Sequence, residues 1–128
     1  MEVLSHRKVS VFELTYGDDG IMYVDKFEQP IDTVESQRIG LKAVAEMTGG
    51  KRVPLLVKYA DYVFPDARGR DNWAKKETAP LIIAEAHIAH STALRLIFKF
   101  YMTVNKPFRP TRMFTDEAQA VSWLQSFL

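Results

Sequence analysis

The chain of 128 residues has no cysteine, so it can form neither a disulfide framework nor a thiolate metal site or nucleophile. It also has almost no net charge, because 17 lysines and arginines nearly balance 16 aspartates and glutamates. This balance gives no overall attraction to nucleic acid or to anionic lipid. No apolar signal-peptide stretch follows Met1. We therefore expect a cytoplasmic protein that does not bind nucleic acid.

Long apolar runs and glycine-rich loops are absent as well. The apolar run at residues 79–84 is far shorter than the ~20 residues that cross a bilayer, so we expect no transmembrane segment. There is no Gly-x-Ser-x-Gly motif, and Gly49-Gly50 follows a helical pattern instead of opening a phosphate-binding helix. We therefore expect no cofactor and no catalytic residue. The length predicts one domain over residues 1–128.

What is present is a regular series of strand and helix patterns. Alternating residues at 9–16 and 21–27 flank Gly17-Asp18-Asp19-Gly20 and predict a hairpin. Further strands are predicted at 53–58, 80–88 and 111–114, and helices after caps at Asp32, Asp66, His90 or Ser91, and Thr115. The order ββαβαβαβα predicts an α/β domain with four helices and a mixed, mostly parallel five-stranded sheet that starts with the hairpin.

Two segments carry a resemblance to a known family. Residues 55–69 predict a buried strand, an aromatic loop and a helix that starts at Asp66. Residues 105–124 predict a short strand, a threonine-capped helix and a Trp-Leu pair. With the order of elements, they make the chain similar to STAS domains, the sulphate-transporter and anti-sigma-factor-antagonist family. The chain looks most like a stand-alone bacterial branch that is likened to CRAL-TRIO lipid-binding domains.

The resemblance implies partner binding more often than chemistry. In STAS domains the corresponding helix opens with Asp-Ser-Ser-Gly, and a kinase phosphorylates a serine there. Here Ala67 and Arg68 stand between Asp66 and Gly69, so no hydroxyl is left to modify. We therefore predict a non-catalytic STAS-like binding or regulatory domain that acts through protein–protein interaction.

An excess of apolar residues at 94–104 favours the same function. The apolar side chains cover about two-thirds of a helix, which is more than one sheet face can bury. A second helix, a second copy of the chain or an apolar ligand must cover the remainder. We expect a homodimer or another protein partner, and the alternative is a carrier of a small apolar or lipid-like ligand. The predicted partner-binding residues are Tyr62, Phe64, Asp66, Arg68, Leu96 and Phe100.

Two clusters of polar residues allow other interpretations. Arg95, Lys99 and Lys106 share one stripe of a helical wheel, which suits a phosphate, a lipid headgroup or an acidic partner, although a solvated helix face is the simpler interpretation. Glu85, His87 and His90 have metal-ligand residue types near the end of a predicted strand and suggest a small enzyme as a third class. The chain has no thiol, His6 is its only other histidine, and a further ligand would have to be an unidentified carboxylate, so we predict no metal site.

Overall fold

The computed structural model describes residues 1–27, 33–60 and 66–128. The strands are β1 (Val3–Val9), β2 (Phe12–Gly17), β3 (Met22–Lys26), β4 (Val53–Tyr59), β5 (Ile82–Ile88) and β6 (Thr111–Phe114). The α-helices are α1 (Val34–Thr48), α2 (Ala67–Trp73), α3 (Thr92–Phe100) and α4 (Glu117–Gln125). A π-helical turn, Tyr101–Asn105, continues α3. None of the helices in these three ranges is both long and apolar enough to cross a bilayer.

The six strands lie side by side in chain order. Pairing is antiparallel from β1 to β3 and parallel from β3 to β6. The predicted α/β class with a mixed sheet is confirmed, but the predicted count of five strands is wrong, because β1 precedes the expected hairpin. β1 lies at the sheet edge and is mostly exposed, so its residues (His6, Arg7 and Lys8 among them) carry no strong apolar alternation.

The helix caps were predicted with mixed success. Asp66 and Ser91 cap α2 and α3 as expected, since each side chain accepts a hydrogen bond from a backbone amide three residues later. The cap predicted at Thr115 is wrong: Asp116 caps α4 instead, because its carboxylate accepts a hydrogen bond from the backbone amide of Ala118. Thr33 caps α1, and Asp32 lies outside the described residues.

The cap of α2 gives a first testable prediction. Asp66→Ala should lower the free energy of unfolding by about 1 kcal/mol, because the amide of Gly69 then loses its 2.9 Å partner. Asp71→Ala is the matched control, since Asp71 lies on the same helix and makes only an exposed 3.8 Å contact with Lys75. Urea unfolding of both variants measures the difference. Equal stability of the two variants would show that the cap contributes nothing.

Helices cover the two faces of the sheet unequally. On one face of the sheet, α1 packs on β2 to β5. Helices α2 and α3 lie next to α1 in the same layer. On the other face α4 packs on the parallel strands. β5 alternates between these layers, so Ala84, Ala86 and Ile88 face α4, whereas Glu85 and His87 lie beside Leu55 and Val57 of β4 and face the α1 side. Two polar residues are thereby placed in an apolar layer.

Candidate functional site

A buried polar network surrounds Glu85 on the α1 side of the sheet. Glu85 and His87 are almost fully buried, and so is Arg109, which precedes β6. The indole Nε1 of Trp73 donates to Glu85 Oε1 over 2.7 Å, and His87 Nε2 lies 2.9 Å from the same oxygen. Arg109 Nε lies 2.8 Å from Glu85 Oε2, and the guanidinium also donates to the backbone carbonyl of Trp73. One carboxylate therefore joins α2, β5 and the segment before β6.

The surroundings of Glu85 keep its carboxylate ionised. Burial alone would raise its pKa, because a charged group is costly in an apolar layer. The hydrogen bond and charge of His87, the charge of Arg109 and the hydrogen bond from Trp73 act in the opposite direction and together lower the pKa of Glu85. Glu85 and Arg109 thus form a buried ion pair. Removing either residue would leave the charge of the other uncompensated in the core and would destabilise the fold.

The network continues from His87 to the ends of two neighbouring strands. His87 Nδ1 lies 3.2 Å from the hydroxyl of Tyr59, and Lys26 Nζ donates to that hydroxyl over 3.4 Å. Lys26 and Tyr59 are the last residues of β3 and β4 and are register partners. We call Lys26, Tyr59 and His87 the carboxyl-end cluster, because they lie where three parallel strands end. Open α/β sheets bind ligands at this end of the strands.

The predicted trio of Glu85, His87 and His90 is only partly brought together. Glu85 and His87 are in contact, whereas His90 is exposed beyond the end of β5. In the described ranges no group of three histidine, cysteine, aspartate or glutamate residues is arranged to hold a metal ion. The sequence interpretation also missed Trp73 and Tyr59 as partners. Tyr59 directly follows the predicted buried strand at 53–58, and this position could have indicated that it lies near the other strand ends. By contrast, no residue near Trp73 in the sequence indicates its contact with Glu85.

Two small cavities adjoin the carboxyl-end cluster. One lies between the sheet and α1 and has a volume of ≈ 40 Å³. The other has a volume of ≈ 20 Å³ and is lined in part by Ile97 and Phe98 of α3. Lys26, Trp73 and His87 contribute to both cavities. These volumes suit one or two molecules of the size of water rather than a lipid chain.

A second candidate site lies on the outside of α3. Leu94, Phe98 and Tyr101 are buried against the domain. By contrast, the side chains on the opposite side of the helix are largely exposed: Leu96 by 60%, Phe100 by 51% and Val104 by 58%. We call these three residues the α3 outer face. Leu96 and Phe100 are four residues apart and lie on successive turns of α3, and Val104 follows in the π-helical turn that continues the helix, so the three form a row along it.

Basic side chains accompany the α3 outer face. Lys99 is exposed and lies three residues from Leu96 on the same helix. The guanidinium of Arg70 lies 5.7 Å from the ring of Phe100. The predicted stripe of Arg95, Lys99 and Lys106 assumed a regular α-helix, whereas the π-helical turn intervenes before Lys106 and Arg95 Nε donates to the carbonyl of Ala89.

The remaining predicted partner-binding residues belong to the segment that leads into α2. Tyr62 and Phe64 lie outside the described residues. Asp66 and Arg68 are exposed at the start of α2, where Asp66 caps the helix. The side chain of Arg68 is exposed and is accessible to a partner.

A comparison with protein families shows the family to which the chain belongs. The family model of a domain of unknown function, DUF7793, matches residues 15–128. The chain therefore belongs to the DUF7793 family. No curated protein and no solved structure matches it. The matched range includes the buried network and the α3 outer face and leaves out β1.

Proposed function

We propose that this DUF7793 domain is a non-catalytic, STAS-like binding domain that docks a protein partner through the α3 outer face. The supporting observation is the row of Leu96, Phe100 and Val104, each more than half exposed. Single exposed apolar residues are common on soluble proteins and need no explanation. A contiguous row on one helix is different, because apolar patches of this kind mark interaction sites.

The charges near the row favour an acidic partner. Residues 91–115 contain no aspartate or glutamate. Of their five basic residues, Arg109 is buried against Glu85 and the other four are exposed: Arg95, Lys99, Lys106 and Arg112. Lys99 and Arg70 lie beside the apolar row itself. A helix with leucines on one side and glutamates flanking them would bury the row and pair with these cations. The proposed partner is therefore a protein segment that is amphipathic and acidic.

A second copy of the chain is the competing occupant, and it corresponds to the expected homodimer. A row along one helix can pack against its own copy about a two-fold axis. Such a pairing would bring the exposed Lys99 of each copy close to the shared interface, where like charges repel. Added salt should therefore strengthen self-association and weaken binding to an acidic partner. Light scattering at low and high salt distinguishes the two occupants.

The other two expected functions have less support. The carrier hypothesis needs α3 to line a large apolar cavity, but Ile97 and Phe98 line one of only ≈ 20 Å³. The enzyme hypothesis needs a reactive group that a substrate can reach. Glu85 and His87 are buried and bonded to each other, and His90 is not part of their network.

The proposal is tested with a designed helical peptide. The peptide carries leucines at positions one, five and nine with flanking glutamates, and fluorescence anisotropy measures its binding. Phe100→Ser should weaken binding at least about tenfold, because a central aromatic anchor is lost. Phe108→Ser is the matched control, since Phe108 is 62% exposed but lies outside α3, and it should leave binding unchanged.

A peptide of the same leucine pattern with lysines in place of the glutamates tests the charge argument. It should bind much more weakly than the acidic peptide. Equal binding of the two peptides, or equal effects of Phe100→Ser and Phe108→Ser, would contradict the proposal.

A further inference from the structure

We infer that a groove at the amino-terminal end of the parallel strands binds a small aromatic carboxylate. The segments that precede β4, β5 and β6 meet there, because these three strands are adjacent and parallel. We call this site the amino-end groove. Its volume of ≈ 370 Å³ is that of a small-molecule site. It lies at the opposite end of the strands from the carboxyl-end cluster, and the inference does not depend on a partner at the α3 outer face.

The walls of the amino-end groove are mostly apolar. The apolar residues that line it are Ala79, Pro80, Ile82, Ile83, Phe108 and Pro110. Phe108 is 62% exposed, and the two prolines are exposed as well. An aromatic ligand would cover this apolar surface and pack on the ring of Phe108. The prolines lose no side-chain entropy when a ligand covers them.

The charges of the lining favour an anion. Arg52, Lys76 and Arg109 contribute to the groove, and no acidic residue is among the described residues that line it. Arg52 and Lys76 are exposed, so a ligand can reach both cations. The ammonium of Lys76 lies 5.4 Å from the ring of Phe108, which places a cation beside an aromatic wall. A ligand with a carboxylate on an aromatic body matches both groups.

Arg109 adds a hydrogen-bond donor that the rest of the described protein does not use. Its Nε faces Glu85, and its Nη2 donates to the carbonyl of Trp73. By contrast, its Nη1 has no hydrogen-bond partner among the described residues, although the residue is only 5% exposed. Buried donors without an acceptor are rare because they cost free energy. A carboxylate oxygen at this wall would supply the missing acceptor.

Three probes separate the contribution of the ring from that of the charge. Cinnamate has an aromatic body and a carboxylate, cinnamamide has the same body without the charge, and acetate has the charge without the body. Each probe is titrated at neutral pH into ¹⁵N-labelled protein, with sodium chloride at matched ionic strength as the reference. The amide resonances report where each probe binds.

We expect cinnamate to shift the amides of Lys76, Ile83 and Phe108 in a saturable way. The amides of Leu96 and Phe100 on α3 should stay in place. Cinnamamide and acetate should each bind at least about tenfold more weakly, because each lacks one of the two matching groups. If cinnamate causes no saturable shift around the groove, or if either of the other probes binds as tightly, the inference is wrong.

Two double variants assign the charge to the groove. Arg52→Gln with Lys76→Gln should weaken cinnamate at least about tenfold, because charge-assisted hydrogen bonds are lost. Lys51→Gln with Lys75→Gln is the matched control: both lysines are exposed and adjacent in sequence to the lining cations, but neither lines the groove. The net charge changes equally in both. Equal affinities of the two double variants would show only a general electrostatic attraction and would overturn the inference.

Phe108→Ser tests the aromatic wall of the groove. It should weaken cinnamate about five- to tenfold, because the ring that packs on the ligand is lost. Phe100→Ser is the control, since Phe100 is a similarly exposed phenylalanine on α3, and it should leave cinnamate affinity unchanged. This order is the reverse of the one expected for the acidic peptide, so the two proposals can fail separately. Wild-type cinnamate affinity in Phe108→Ser would contradict the inference.

Discussion

Glu85→Ala is expected to lower the free energy of unfolding by about 3–5 kcal/mol, which is the range for breaking a buried ion pair. The substitution leaves the guanidinium of Arg109 in the core without its carboxylate, and it also removes the acceptor of the Trp73 indole. Glu77→Ala is the control, because Glu77 is exposed in the segment between α2 and β5. Urea unfolding of both variants measures the effect, and a cost of less than about 1 kcal/mol for Glu85→Ala would show that the network does not stabilise the fold.

The same carboxylate predicts a pH dependence of stability. The pKa of Glu85 is lowered in the folded protein, so the unfolded chain takes up a proton at a higher pH than the folded chain does. The stabilisation from the ionised carboxylate is therefore complete above the unfolded pKa and decreases as the pH falls through the folded pKa. In Glu85→Gln this acid-dependent loss should be smaller, as measured by urea unfolding at a series of acidic pH values. An unchanged pH profile would mean that other carboxylates cause the acid sensitivity.

Phe98→Ala is expected to cost about 3–5 kcal/mol, as for other buried aromatic side chains. Phe98 is 4% exposed, and its ring contacts those of His87, Tyr59 and Tyr101. Phe100→Ala is a closely matched control, because Phe100 is two residues away on the same helix and points outward. It should cost less than about 1 kcal/mol. Equal destabilisation by both variants, measured by urea unfolding, would show that the division of α3 into an inner and an outer side is wrong.

The fold was predictable because most of its elements have strong local signals. The turn residues at 17–20 and the nearly all-apolar β4 indicate a hairpin and a buried strand without knowledge of the rest of the chain. β1 was not predictable in this way, because an edge strand buries little and its residues are mostly polar. The start of α4 was not predictable to the residue for a different reason. Thr115 and Asp116 are adjacent and both residue types cap helices well, so the sequence alone does not show which of them is the cap.

The candidate sites were predictable in part, for a related reason. The apolar excess of residues 94–104 indicated that one side of the helix would stay uncovered, and Leu96 and Phe100 lie on that side. The π-helical turn at Tyr101–Asn105 has no simple sequence signal, so the spacing of later residues was misjudged. The partners of Glu85 were missed because Trp73 and Arg109 approach it only through tertiary packing.

The central claim is that the α3 outer face docks an acidic amphipathic partner, and amide chemical shifts test it residue by residue. The acidic peptide is titrated into ¹⁵N-labelled protein, and shift changes are mapped on the structure. We expect the largest changes at the amides of α3 and the π-helical turn, around Leu96, Phe100 and Val104, with β1 and α4 unchanged. Changes confined to β1 or α4, with α3 unaffected, would contradict the account.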